Sequence, residues 1–140
     1  MSLKLVKKST SDDFSSGDGT DPVSMSVTLD DSSSPATIDS DVVNAELLAT
    51  TYSYTGIALS IVSEESGVDF KLSLDNTNWH DALTSGTVDD AVAGEIGNMD
   101  ASGTDQRTDI YIKTVNDNDG GVSAGQHTAA DIRLTATENQ

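Results

Sequence analysis

Residues 108–137 read TDIYIKTV (108–115), NDNDGGVSAGQ (116–126) and HTAADIRLTAT (127–137), and their patterning decides the class of fold. In the first run Ile110 and Ile112 share one face while Tyr111 and Lys113 share the other. In the last, Ala130, Ile132, Leu134 and Ala136 alternate with Asp131, Arg133 and Thr135. A period of two marks a strand with one buried face. The stretch between them is rich in Asn, Asp and Gly, which tolerate positive φ and close turns. The two runs are therefore expected to form a terminal β-hairpin whose apolar face covers a core.

Working outward, the same period recurs. Val23, Met25, Val27 and Leu29 alternate with Ser24, Ser26 and Thr28. Ile57, Leu59 and Ile61 make a second such run, and Phe70, Leu72 and Leu74 a third. Between Thr37 and Gly56 the pattern is mixed: Val43 and Leu47 sit four apart, as in a helix capped by Ser40 or Asp41. Leu48, Tyr52 and Tyr54 instead favour a strand over roughly 45–54. Residues 80–107 are the least regular, with Val88, Val92 and Ile96 spaced for one helical turn and Gly94 and Gly97 favouring a loop. Turn signals every 8–12 residues or so, with no helices alternating between the strands, argue against a parallel βαβ sheet and point to an antiparallel β-sandwich. No internal repeat is present.

The chain has 140 residues, enough for one domain, and no cysteine. That removes thiol catalysis, zinc–thiolate sites and iron–sulfur clusters. No apolar run is long enough for a membrane span, and the apolar content of residues 1–8 is too short for a secretory signal. The formal charge is −17, from 24 acidic and 7 basic residues, and three of the basic ones lie within the first eight positions. Such a body repels nucleic acid. It fits either an ordinary acidic, soluble surface or a saline or marine habitat where like charges are screened. The scarcity of lysine after residue 8 tilts the reading toward the second.

Residues 9–21, STSDDFSSGDGTD, are polar and aperiodic and read as a linker. Residues 1–21 are thus expected to be an N-terminal arm and linker, and residues 22–140 the sandwich domain. Leu3, Lys4, Leu5, Val6, Lys7 and Lys8 would meet a partner, the lysines its carboxylates and the apolar residues its sheet edge. The plainer alternative is an edge strand of the chain's own domain, guarded by its lysines.

No reaction is legible. NDNDGG (116–121) looks like a calcium loop, but Val115 stands where an EF-hand needs an oxygen ligand and Gln126 where it needs the closing Glu. Asp117 and Asp119 remain weak calcium candidates beside the reading as a solvated loop. His80 and His127 have no partner at helical spacing, and no G-x-S-x-G elbow is present. Asp89–Asp90 and Glu64–Glu65 are sequence neighbours, which a strand points to opposite faces, so they make poor acid–base pairs. Trp79 either stacks on a sugar or, more in keeping with a lone Trp after a strand, caps the core. No cofactor is expected.

Two stretches carry a resemblance. SLDNTNW (73–79) is similar to the S-x-D-G-x-x-W turn of many extracellular and virion β-sandwich modules, with Asn76 where Gly is commoner. AGQHTAADIRLTATE (124–138) resembles the final strand of Ig-like modules. The whole resembles small Ig-like virion proteins of tailed viruses, such as head-decoration proteins. The resemblance implies an Ig-like sandwich of about seven strands with an extended N-terminal arm. It implies a non-enzymatic virion protein made in the host cytoplasm, bound to the major capsid protein or other virion proteins, with a homo-oligomer on the particle as a further option. A chain opening on Met1 with no signal or anchor fits release by lysis. The competing expectations are a carbohydrate-binding or adhesin module using Trp79, and another head or tail subunit such as a tail-tube protein.

Overall fold

The structure, a computed structural model, describes residues 3–8, 13–15, 23–30, 37–40, 42–63, 69–85, 95–117 and 125–140. These form twelve strands and, among the described residues, no helix. A first sheet runs β2 (Asp13–Ser15), β1 (Leu3–Lys7), β5 (Val43–Ala49), β11 (Gln106–Asp117), β7 (Phe70–Ser73). A second is built on β12 (Gly125–Asn139) and β6 (Ser53–Ser63), with β8 (Ala82–Ser85) and β10 (Met99–Asp100) also on β6 and β9 (Glu95–Ile96) on β8. β3 (Val23–Asp30) and β4 (Thr37–Ser40) pair with each other and join the two sheets, β4 on β11 and β3 on β12. Every strand pairing is antiparallel except β8 with β9.

Side chains from both sheets fall in one hydrophobic cluster. The first contributes Leu3, Leu5, Leu47, Phe70, Leu72, Ile110 and Ile112, and the second Tyr54, Ile57, Leu59, Leu83, Ile132 and Leu134. The antiparallel all-β class is as expected, and the architecture is sandwich-like. The alternating residues read at 57–61, 70–72, 110–112 and 132–134 are the ones that fill it. Tyr54 is fully buried, and its hydroxyl donates to Glu138 Oε1 at 2.7 Å, so the ring's polar tip is satisfied by its cross-strand partner.

Four expectations are corrected. β11 and β12 exist where the pattern places them but pair with β4, β5 and β7 and with β3 and β6, not with each other. A period of two identifies a strand and its buried face without naming its neighbour, and the β3–β4 pair takes the place between them. The strand expected at 45–54 is two: β5 ends at Ala49, and β6 starts at Ser53 in the other sheet. Between them Tyr52 N–H donates to Thr50 O at 2.9 Å around Thr51, whose φ is 78°. That is a γ-turn of the rare left-handed kind, in a β-branched residue that carries no turn signature. Ile96 lies on a strand, not a helical turn, and is buried; Val88 and Val92 lie outside the described residues.

The fourth correction is the extended arm. β1 pairs along its length with β5, from Leu3 opposite Ala49 to Lys7 opposite Ala45, and with β2 on its other side. Leu3, Leu5 and Val6 are 2%, 0% and 1% exposed. Leu3 and Leu5 alternate with Lys4, Val6 is buried beside them, and Lys8 just beyond the strand pairs with Asp109.

Candidate functional site

The most elaborated part of the described surface is residues 71–81, which leave the first sheet and return to it. β7 ends at Ser73, and the chain closes where Leu72 and His80 exchange both backbone hydrogen bonds at 2.8 Å. Within that loop two side chains replace backbone partners. Ser73 Oγ accepts the N–H groups of Asp75 (3.2 Å) and Asn76 (3.0 Å) and donates to Asp75 Oδ1 (2.9 Å). Asp75 Oδ1 also accepts the N–H groups of Thr77 (2.9 Å) and Asn78 (2.8 Å), and Oδ2 accepts Asn78 Nδ2 at 2.7 Å. This is an Asx-type turn, in which a carboxylate mimics backbone acceptors. The donors, led by the Asn78 and Thr77 amides, hold the Asp75 carboxyl well below the usual carboxylate range.

Asn76 has φ 59°, the left-handed region that Gly, Asn and Asp enter most readily. Its identity, and the preference for Gly at this place in the similar turn, thus have one cause. Ser73 is fully buried, although its strand position predicts a solvent-facing side chain; the loop folds over it.

The loop delivers Trp79 to the outward face of the sheet. Lys113 Nζ sits 4.6 Å from the Trp79 ring centroid. Trp79 is half-buried and outside the core cluster, so it does not cap the core. Lys71 forms an ion pair with Asp81 at the same corner. Further along that face Arg107 pairs with the buried Glu46, and Lys8 Nζ lies 2.9 Å from Asp109 Oδ1. The hydrogen bond to Asp109 raises the Lys8 pKa. Among the described residues His80 Nε2 is buried without a hydrogen-bond partner.

The other candidate residues are dispersed. Leu3, Leu5 and Val6 are buried within the chain's own fold, whereas Lys4 and Lys7 are exposed. Asp117 ends β11 opposite Thr37, and Asp119 lies outside the described residues, as do Glu64–Glu65 and Asp89–Asp90. His127 is opposite Met25 on β12, far in sequence and strand from His80. Among the described residues no three His, Asp or Glu side chains gather closely enough to hold a metal ion, and no helix is long and apolar enough to cross a membrane. Sequence reasoning missed the Glu46–Arg107 and Lys8–Asp109 pairs, whose only signal is alternation on strands whose register was unknown.

No protein-family model matches the chain, and neither a curated protein nor a solved structure matches it. The arrangement is an aromatic–cationic corner, with Lys113 over the Trp79 ring beside the Lys71–Asp81 pair.

Proposed function

We propose that this chain is a non-enzymatic structural protein of a virus particle, a capsid decoration or stabilising protein on the head exterior with an Ig-like sandwich as its body. The observation that supports this most is the 73–79 turn. Ser73 and Asp75 act as its hydrogen-bonding posts, and Asn76 occupies the left-handed position at which the similar virion turn commonly has Gly. The acidic surface suits an exposed, soluble particle component. Its partner would be the major capsid protein or a neighbouring virion protein. Density-gradient purification of particles from lysates of the source, with quantitative mass spectrometry, tests it. The chain is expected at a fixed ratio to the major capsid subunit and to be strippable without opening the head. Its absence from purified particles overturns the reading.

The exposed part of the Trp79 ring, on a loop fixed by Asp75, favours a second reading as a carbohydrate-binding module. A glycan array with Trp79→Ala as the control separates the two: loss of a specific glycan signal in the variant supports the second.

A further inference from the structure

The two sheets are tied together along two sides, and the ties are unequal. On one side β3 and β4 make the connection through continuous ladders, β4 on β11, β3 on β4 and β12 on β3. On the other side the chain leaves β7, returns to it at His80 and enters the second sheet at β8, which pairs with β6. Among the described residues a single backbone pair, Leu72 with His80, makes that tie. Residues that exchange both backbone hydrogen bonds turn their side chains to the same face. Leu72 is fully buried and stands opposite buried Ile112 on β11, so the His80 imidazole continues a core-facing row. Its Nε2 is buried without a hydrogen-bond partner among the described residues. The core-facing side chains of the neighbouring strands are apolar: Phe70 and Leu72 on β7, Ile112 on β11, Leu83 on β8. Tyr54, the one titratable side chain of the described core cluster, donates to Glu138. The charged groups near the seam lie elsewhere. Asp69, Lys71, Asp81 and Lys113 stand on the outward face, Asp75 is exposed in the turn, and Glu95 of β9 lies beside exposed Thr84.

We propose that His80 is an acid-sensitive latch on this seam. A neutral imidazole fits the place with Nε2 bare. The imidazolium would carry an N–H and a charge there, with no acceptor to meet them. In an extended segment the backbone sets the face a side chain takes, so a charged ring reaches water as the Leu72–His80 pair gives way. Opening the pair frees the return of the 73–79 turn, and with it the Trp79 ring from Lys113. The aromatic corner is thus held together at neutral pH and released in acid. Histidine ordinarily changes charge between about pH 5 and 8. The Asp75 carboxyl, held well below the usual carboxylate range, titrates outside that window. The inference needs neither a particle nor a glycan, and it stands apart from both readings above.

Amide hydrogen exchange of the full chain, followed by NMR from about pH 7.5 to about pH 5.5 and expressed as protection factors, tests it. The Leu72 and His80 amides are the two donors of the pair. Their protection should fall by at least about tenfold over that range, because opening takes up a proton. The amides that pair β11 with β5 should keep theirs. Emission from Trp79, the chain's only tryptophan, should change in step. His80→Gln and His80→Phe, neither of which titrates, should stay protected throughout, whereas His127→Gln should behave as the parent. If both His80 variants fail to fold, the parent decides, since its loss of protection must follow the titration of the His80 ring protons. Protection indifferent to pH in the parent, or a loss that persists in a folded His80 variant, overturns the proposal. So does a ring that titrates while both amides stay protected, or a loss spread evenly over all strands.

Discussion

Lys71 and Lys113 stand directly opposite each other on β7 and β11. Like charges in that relation destabilise a sheet. The two ammonium groups are drawn to different residues of one short segment, Lys113 to the face of Trp79 and Lys71 to the Asp81 carboxylate. The turn that reverses the chain thus also separates two cations on the sheet it left. Asp81 is largely exposed, so its pair with Lys71 contributes only about 0.5 kcal/mol.

The first prediction follows from that division. Asp81→Asn should lower the melting temperature slightly in dilute buffer, and the deficit should shrink in molar salt. Trp79→Ala should cost about 1 kcal/mol through the lost ring contact and packing, with little salt dependence. Thermal melts at two salt concentrations check both. A deficit for Asp81→Asn that grows with salt would show that the carboxylate acts in some other way.

Two residues hold positive φ without being glycine, Thr51 at 78° and Asn76 at 59°. The strain differs because Asn tolerates this region and β-branched Thr does not. Thr51→Gly should therefore stabilise by about 0.5–1 kcal/mol, the relief of strain outweighing the added chain entropy. Asn76→Gly should fall within about 0.5 kcal/mol of the parent, and Asn76→Val should cost about 1–2 kcal/mol. Denaturant titrations measure all three, and a destabilised Thr51→Gly would place the turn's strain elsewhere.

The Asp75 carboxylate gives a pH dependence with a definite sign. Its pKa is lower in the folded chain than in the unfolded chain, where a free Asp titrates near about 3.9. The stability it contributes is present above that value and is lost as pH falls through the folded one. Asp100, lowered by hydrogen bonds from Ser102, acts in the same direction. Asp75→Asn should melt lower than the parent at neutral pH, and the gap should narrow as the pH is brought below the free-Asp value. Parallel curves for the two proteins would remove Asp75 as a contributor.

On β7 and β12 neighbouring residues point to opposite faces, yet the expected costs of truncation do not simply alternate. Leu72→Ala and Ile132→Ala remove fully or almost fully buried side chains and should each cost about 2–5 kcal/mol. Arg133→Ala, on the exposed face, should stay within about 0.5 kcal/mol. Ser73→Ala should cost about 1–3 kcal/mol despite its outward position, since it strands the N–H groups of Asp75 and Asn76. A near-neutral Ser73→Ala would mean that water replaces the hydroxyl there.

The long strands were legible because each needs a buried face: Ile57 and Leu59, Ile110 and Ile112, Ile132 and Leu134 all lie in the core. Six strands of four residues or fewer are too short to show a period, and of these only β7 stood out, through Phe70 and Leu72. Partner choice was not legible, because alternation says which face is buried and nothing about which edge is paired. Alternation places Ser73 on the outward face for a related reason: its burial comes from the loop that follows, not from its strand. The SLDNTNW turn was legible as a motif, whereas the electrostatics of the face it borders required the register of β1, β5, β7 and β11.

The N-terminal segment offers the sharpest test of the fold. β1 lies between β5 and β2, and Leu3, Leu5 and Val6 are almost wholly buried. Burying an aliphatic side chain of this size stabilises by roughly 1.5–3 kcal/mol, so the three together contribute several. A domain's whole margin is about 5–15 kcal/mol. Deleting residues 1–15 removes β1 and β2, exposes the core side of β5 and leaves the buried Glu46 beside a bare edge. The truncated chain should therefore unfold or melt far below the parent. Leu5→Ala alone should cost about 2–5 kcal/mol, while Lys4→Ala should stay within about 0.5 kcal/mol. Circular dichroism melts of these three proteins decide the matter. A truncated chain that keeps the parent's melting temperature would show that β1 is dispensable to the core and free to engage a partner.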